Sequence, residues 1–256
     1  MFLCVLSDQF FSFIPVNFLY IPFFIPALLL SVSYGLQVVS FFEAGNPMEA
    51  VRTGNMWAFL MVPCLTFTGP AKAAMTLLMK QWSEERFPPI GKTLWKGVRE
   101  NWKNAFAASF LYSLSIPVLW YNIVVLLTSG SSTFGIVLLV LLCLALTLLL
   151  LSAIALFPSM VTYELSLKQH MKNALILTML RLPQFLLVLA ASLFFILLYI
   201  LMVFIRPEMR VALLIIPVLY YFMIGGAMQE FIFASFSNAL FERYFGNNYA
   251  GDIQKT

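Results

Sequence analysis

Residues Thr66 to Trp82 read TFTGPAKAAMTLLMKQW, an apolar run in which Lys72 follows two residues after a Gly69-Pro70 pair. About 20 mostly apolar residues span a bilayer as a helix, and this run is the basic-end half of such a segment. A charge held inside the bilayer costs about 3 kcal/mol or more unless it is paired or hydrated. At about 1.5 Å of rise per residue, Lys72 lies roughly 12 Å along the helix from Lys80. Its four-carbon stem could snorkel to the headgroups, or its ammonium could take an ion-pair partner or line a polar pocket. The other ionisable residue well inside an apolar segment is Glu230, eight residues before Asn238 and at a comparable depth. Lys72 and Glu230 are therefore expected to pair or to share one polar pocket. Pro70 removes a backbone donor and biases Gly69 away from helix, which predicts a kink or break whose freed carbonyls Lys72 could serve. Gly225-Gly226, just before Glu230, marks a second weak point or a close-packing site.

The rest of the chain fits a membrane. Of 256 residues, 62% are hydrophobic and only 10% charged, with a mean hydropathy of +0.92. A soluble domain carries about 25% charged residues, so this chain cannot cover a water-facing globule. The class is an all-α polytopic membrane helix bundle, since the apolar runs are too long and continuous for barrel strands. No polar segment is long enough for a separate soluble domain, so residues 1–256 read as one integral membrane domain. The opening MFLCVLSDQFFSFIP lacks a basic n-region and a small-residue cleavage site, and reads as a retained lead into the first span. Cys4, Cys64 and Cys143 stand singly in apolar surroundings and read as small buried hydrophobes.

Six segments qualify as spans: Val16 to Phe42, interrupted by Pro22 and Pro26; Met56 to Met79; Ala105 to Thr128; Phe134 to Thr162; Leu182 to Ile205; and Val211 to Asn238. The net charge of +4 sits in the loops, which speaks for membrane topology and against nucleic acid. Eleven basic residues fall in alternate loops and the tail, against three (Arg52, Arg206, Arg210) on the other side. The positive-inside rule then puts both termini in the cytoplasm. Trp57, Trp82, Trp120 and Tyr121 fall near span ends, as interface anchors do.

The first basic loop carries its own pattern. Phe87, Ile90, Leu94, Val98 and Trp102 recur at helical spacing, with Trp95 beside them, while Lys92, Lys96, Arg99 and Lys103 fall opposite. This predicts an amphipathic cytoplasmic helix over 86–103. Such a helix lies in the headgroup layer on anionic lipid, or docks a partner protein with the same face. An internal echo follows: RENWKNAF (Arg99 to Phe106) aligns with KQHMKNAL (Lys168 to Leu175), and PAKAAMTLLMK (Pro70 to Lys80) with PSMVTYELSLK (Pro158 to Lys168). Either a parallel repeat or chance similarity of two basic loop-to-span junctions accounts for it.

Catalytic and metal-binding patterns are not visible in the sequence. His170 has no carboxylate-histidine cluster near it in sequence, and metal sites take several ligands. There is no G-x-x-x-x-G-K-[ST] and no G-x-S-x-G. The expectation is a non-enzymatic protein without cofactor.

The run GPAKAAMTLLMKQWSEERFPPIGKTLWKGVRENWKNAFAASFLYS, with SLKQHMKNALILTMLRLP further on, resembles the YesL-like family of small bacterial integral membrane proteins. The shared pattern is Gly-Pro-Ala leading a helix, a Lys/Arg-x-Trp exit, a Phe/Trp-rich basic helix ending near Lys-Asn-Ala, and a later Lys-x-x-x-Lys-Asn-Ala with Leu-Pro. It covers roughly Met56 to Met223, within a family-like core of 56–256. The resemblance implies a plasma-membrane protein accessory to carbohydrate uptake, with oligosaccharide ABC importer permease or ATPase subunits as partners and no catalytic residues. The chain departs from the family by an extra proline-rich span and outer loop (1–55, with EAGNPMEAVRTGN) and by Ser-Glu-Glu in place of a Gly-Glu turn. The alternative is a stand-alone small-solute transporter or channel, with Gly69, Pro70, Lys72, Gly225, Gly226 and Glu230 as its intramembrane polar site.

Overall fold

The computed structural model describes residues 10–128 and 132–253. Cys4, most of the lead into the first span, Ser129 to Ser131 and Lys255 lie outside the described residues. The described elements are all helical: α1 (Phe13–Tyr20), α2 (Ile25–Glu43), α3 (Pro47–Ser83), α4 (Ile90–Thr128), α5 (Thr133–Thr162), α6 (Leu167–Leu180), α7 (Leu182–Ser192), α8 (Phe194–Ile205), α9 (Arg210–Tyr220) and α10 (Gly226–Ile253). Among the described residues, five helical stretches are long and apolar enough to cross a membrane, or six if α6 and α7, bent by 97°, form one span. The chain is a polytopic membrane helix bundle. Its outer surface is the apolar one a bilayer requires: Phe134, Val140, Leu141 and Phe204 are more than half exposed.

α3 is the central element, packed on α1, α2, α4, α5 and α10. Its longest partner is α4, and small residues bring the two backbones together. A Cβ on Gly97 would stand 2.6 Å from the Cα of Ala74, and one on Gly69 would collide with the Ser109 side chain and lie 2.5 Å from the Ala105 carbonyl. In a bilayer such close approach supplies van der Waals contact that lipid cannot match. Polar side chains add ties between helices: Thr66 Oγ1 and Ser113 Oγ at 3.2 Å, Tyr112 Oη and Ser152 Oγ at 2.7 Å, and Asn238 Nδ2 donating to Ser83 Oγ at 2.9 Å. The last of these, with Tyr163 stacked edge-on to Phe241, gathers the ends of α3, α5 and α10 at the end of the bundle that carries the two basic loops.

Several expected boundaries move. The anticipated break at Gly69-Pro70 is absent, because α3 is helical through both Pro63 and Pro70. Proline's fixed φ suits a helix, and the glycine-lined contact with α4 holds this turn in place. The outer loop expected before Met56 reduces to a turn at Ala44 to Asn46, where Gly45 takes φ +73°; α3 starts at Pro47. The amphipathic stretch expected from residue 86 is helical only from Ile90, since Pro88 and Pro89 keep the preceding residues extended, and it runs unbroken into the third span. The first span is interrupted where its prolines predict, by a 3-10 turn at Ile21–Phe24. The fifth is cut at Leu193, and the Ser192 carbonyl at that cut accepts from Tyr221 Oη at 3.0 Å.

Two side chains also sit differently from expectation. Trp82 is no interface anchor: it is 2% exposed and meets Phe13 edge-on at 5.3 Å, while Phe13 meets Phe231 at 5.5 Å. Cys143 is exposed on the outer face rather than buried, and Cys64 is half-buried; both thiols are free.

Candidate functional site

Lys72 and Glu230 face each other where α3 crosses α10. Lys72 Nζ is 3.3 Å from Glu230 Oε1, and Thr76 Oγ1 lies 3.0 Å from Glu230 Oε2 and 2.8 Å from the Lys72 carbonyl. Lys72 and Thr76 are one turn apart on α3, so they present their polar groups to the same carboxylate. The ammonium also stands 5.0 Å from the centroid of the Phe157 ring on α5, a cation–π distance. Lys72 therefore serves Glu230 rather than carbonyls freed by Pro70. Glu230 is 4% exposed, and Thr76, Ala227, Phe231 and Ala234 are wholly buried around it. The carboxylate is packed in, and only the lysine retains some access, with 25% of its side chain exposed.

The turn that leads into α10 is irregular, and one residue of α1 supports it. Between α9 and α10 the chain forms a π-turn, Tyr221–Gly225. Asn17 of α1, 1% exposed, donates through Nδ2 to the carbonyls of Tyr221 at 3.1 Å and Phe222 at 2.8 Å, and accepts at Oδ1 from the Ala227 amide at 3.1 Å. Buried backbone groups loosened by a π-turn need such partners. Gly226 is where the close approach is needed: a Cβ there would stand 2.8 Å from Asn17 Oδ1. Gly225 faces its own turn, where a Cβ would meet the Tyr221 ring at 2.5 Å. Gly69, in contrast, belongs to the α3–α4 contact and takes no part in the charged pair.

The amphipathic start of α4 is only partly as its pattern suggests. The residues pressed onto α3 are Thr93 and Gly97, both buried, with Ile90, Leu94 and Val98 half-buried beside them. Phe87, Trp95 and Trp102 stay outside, at 49%, 70% and 51% exposure. Lys92, Lys96, Arg99 and Lys103 are all exposed, and Lys96 has Glu100 one turn on at 4.0 Å. Pro70, Leu94, Trp95 and Val98 line one open apolar cleft of about 380 Å³, closed on its other side by Val16, Tyr20 and Phe23. The structure thus joins one residue of the expected polar site to three of the expected contact surface, through the start of the first span.

His170 has a buried role. It is 1% exposed, and its Nδ1 lies 2.9 Å from Ser159 Oγ at the end of α5. Burial pushes its pKa below the ordinary imidazole value, so the neutral ring is the form that fits. Spacing gives no sign of Thr76 or Phe157 as partners of the pair, nor of Asn17 as the partner of the π-turn. Asn17 had one available signal, a lone carboxamide within an apolar run. Compared with protein families, with curated proteins and with solved structures, the chain matches none.

Proposed function

We propose that this chain is a non-enzymatic accessory subunit of a carbohydrate ABC importer in the bacterial plasma membrane, with its basic end toward the cytoplasm. The observation that carries the reading is the lateral cleft between α1, α3 and the start of α4, rimmed by Trp95 at 70% exposure. Exposed tryptophan beside an apolar recess is the kind of anchor that helix-in-groove contacts use. The basic residues that follow it on α4 suit the cytoplasmic side of a permease or its ATPase. The family-like run from Met56 to Met223 supports the same partner class. Affinity purification in mild detergent, with mass spectrometry of the co-eluting proteins, tests it. Near-stoichiometric permease subunits are expected, lost on Trp95→Glu; a protein that purifies alone under conditions preserving other importer complexes contradicts the reading.

One observation favours a second reading, a stand-alone transporter: Glu230 is a carboxylate inside a span, next to a π-turn, and π-turns recur at functional sites. In that case proteoliposomes of the purified chain carry solute, and flux is lost on Lys72→Met or Glu230→Gln.

A further inference from the structure

A second groove opens at the basic end, between α6 and α4, away from both the charged pair and the Trp95 cleft. It holds about 720 Å³. Its walls are Leu111 of α4 and Leu175, Ile176 and Met179 of α6, and Lys168 and Lys172 stand at one end of it. On α6 these residues share one side: Lys168 and Lys172 are one turn apart, and the apolar three continue in the following turns. The opposite side of α6, His170, Ala174, Leu177 and Thr178, is buried in the bundle, so the groove side is what the helix leaves open.

Among the described residues the two lysines have no charged partner, and the first turn of α6 contains no acidic residue. Lys168 stands in the first turn, at the positive end of the helix, where positive charge is unfavourable. The groove thus offers uncompensated positive charge at its head and only apolar surface below. From Lys168 to Met179 the helix rises roughly 16 Å, about half the hydrocarbon thickness of a bilayer. We propose that the groove binds one anionic phospholipid, with its phosphate on Lys168 and Lys172 and an acyl chain along Leu111, Leu175, Ile176 and Met179. A purely apolar partner helix would fill the apolar part and leave the lysines unpaired; an anionic lipid satisfies both parts. The site is distinct from the basic face of α4, and stands whether or not the chain accompanies an importer.

The test uses the full chain, purified in a neutral detergent and stripped of lipid, then titrated with phosphatidylglycerol, phosphatidylcholine or soluble glycerophosphate. Native mass spectrometry counts bound lipid, and thermal unfolding reports stabilisation. Phosphatidylglycerol is expected to be retained at one per chain and to raise Tm, with phosphatidylcholine and glycerophosphate doing neither. Lys168→Gln with Lys172→Gln should weaken that binding roughly 30-fold, from about fivefold for each lysine at a membrane surface. Ile176→Trp, which fills the groove and keeps the charge, should abolish it. Neutralising Lys92, Lys96, Arg99 and Lys103 together should leave it intact. Equal binding of phosphatidylcholine, equal stabilisation by glycerophosphate, or undiminished phosphatidylglycerol binding by the Lys168/Lys172 double variant would each overturn the proposal. The lysines are exposed, so a lipid-free Tm equal to wild type confirms that the double variant is folded.

Discussion

α4 and α6 each follow a proline-bearing span across a short connection, and each carries basic residues and a Lys-Asn-Ala, at Lys103 to Ala105 and Lys172 to Ala174. Aligned on that triplet, the same positions turn inward: Ala105 with Ala174, Ala108 with Leu177, Ser109 with Thr178, all buried. Each helix lays that face on the span before it, α4 on α3 and α6 on α5. Beyond that point they part. α4 runs on without a break to Thr128, whereas α6 ends at Leu180 and α7 leaves at 97°. Pro183 stands in the first turn of α7; it lacks the amide that would continue α6 and restricts Leu182 before it. The residue at its place in the first unit is Leu114. Matched burial favours duplication over chance similarity, and the two units share an inward face for docking while the chain takes different courses beyond it, with Pro183 at the bend.

The largest expected effect comes from making the first unit like the second. Leu114→Pro should cost about 3 kcal/mol or more, seen as loss of a monodisperse protein in detergent; a stable, helical variant would show that the straight course of α4 is not what holds the bundle. Next is the clamp that the second unit lacks. Gly97 has its counterpart in Ser166, the N-cap of α6, so a side chain is tolerated in one unit and not in the other. Gly97→Leu should destabilise by about 1–3 kcal/mol by pushing α4 off Ala74, measured by thermal unfolding, while Ser166→Leu should cost only about 1 kcal/mol, the worth of a cap. Equal losses would remove the distinction.

The smallest effect distinguishes the units by pH. His170 of the second unit aligns with Asn101, which does not titrate. Burial holds His170 below its usual pKa, so the unfolded ring takes up a proton before the folded one does. Its contribution is whole above about pH 6.5 and is lost as pH falls from there through the folded value. Tm should therefore decline on acidification below that point, and His170→Asn should flatten the decline. An unchanged slope in His170→Asn would place the acid sensitivity elsewhere.

How far the sequence shows this arrangement depends on the kind of signal. Apolar run length reveals the spans because the bilayer imposes a minimum length on each, and depth counted along the helices brings Lys72 level with Glu230. Helix ends were less legible. Proline reads as a breaker at Pro70, yet the close contact of Gly69 with α4 holds that turn helical; at Pro183, the bend is what forms. Local sequence is nearly silent on that difference, because tertiary packing decides it. Trp82 looks like an anchor for its position near a span end, and is buried because Phe13 reaches it from α1. Asn17 belongs to a π-turn some 200 residues away in the chain, a contact no periodicity announces.

The charged pair pins α3 to α10 and is closed in by packing rather than open as a path. A double-mutant cycle of Lys72→Met and Glu230→Met, followed by thermal unfolding in detergent, measures that directly. Each single change is expected to destabilise by about 2 kcal/mol or more, through the charge it strands, and the double variant to lose less than either, a coupling on the order of 2 kcal/mol. Additive losses with no coupling would contradict it.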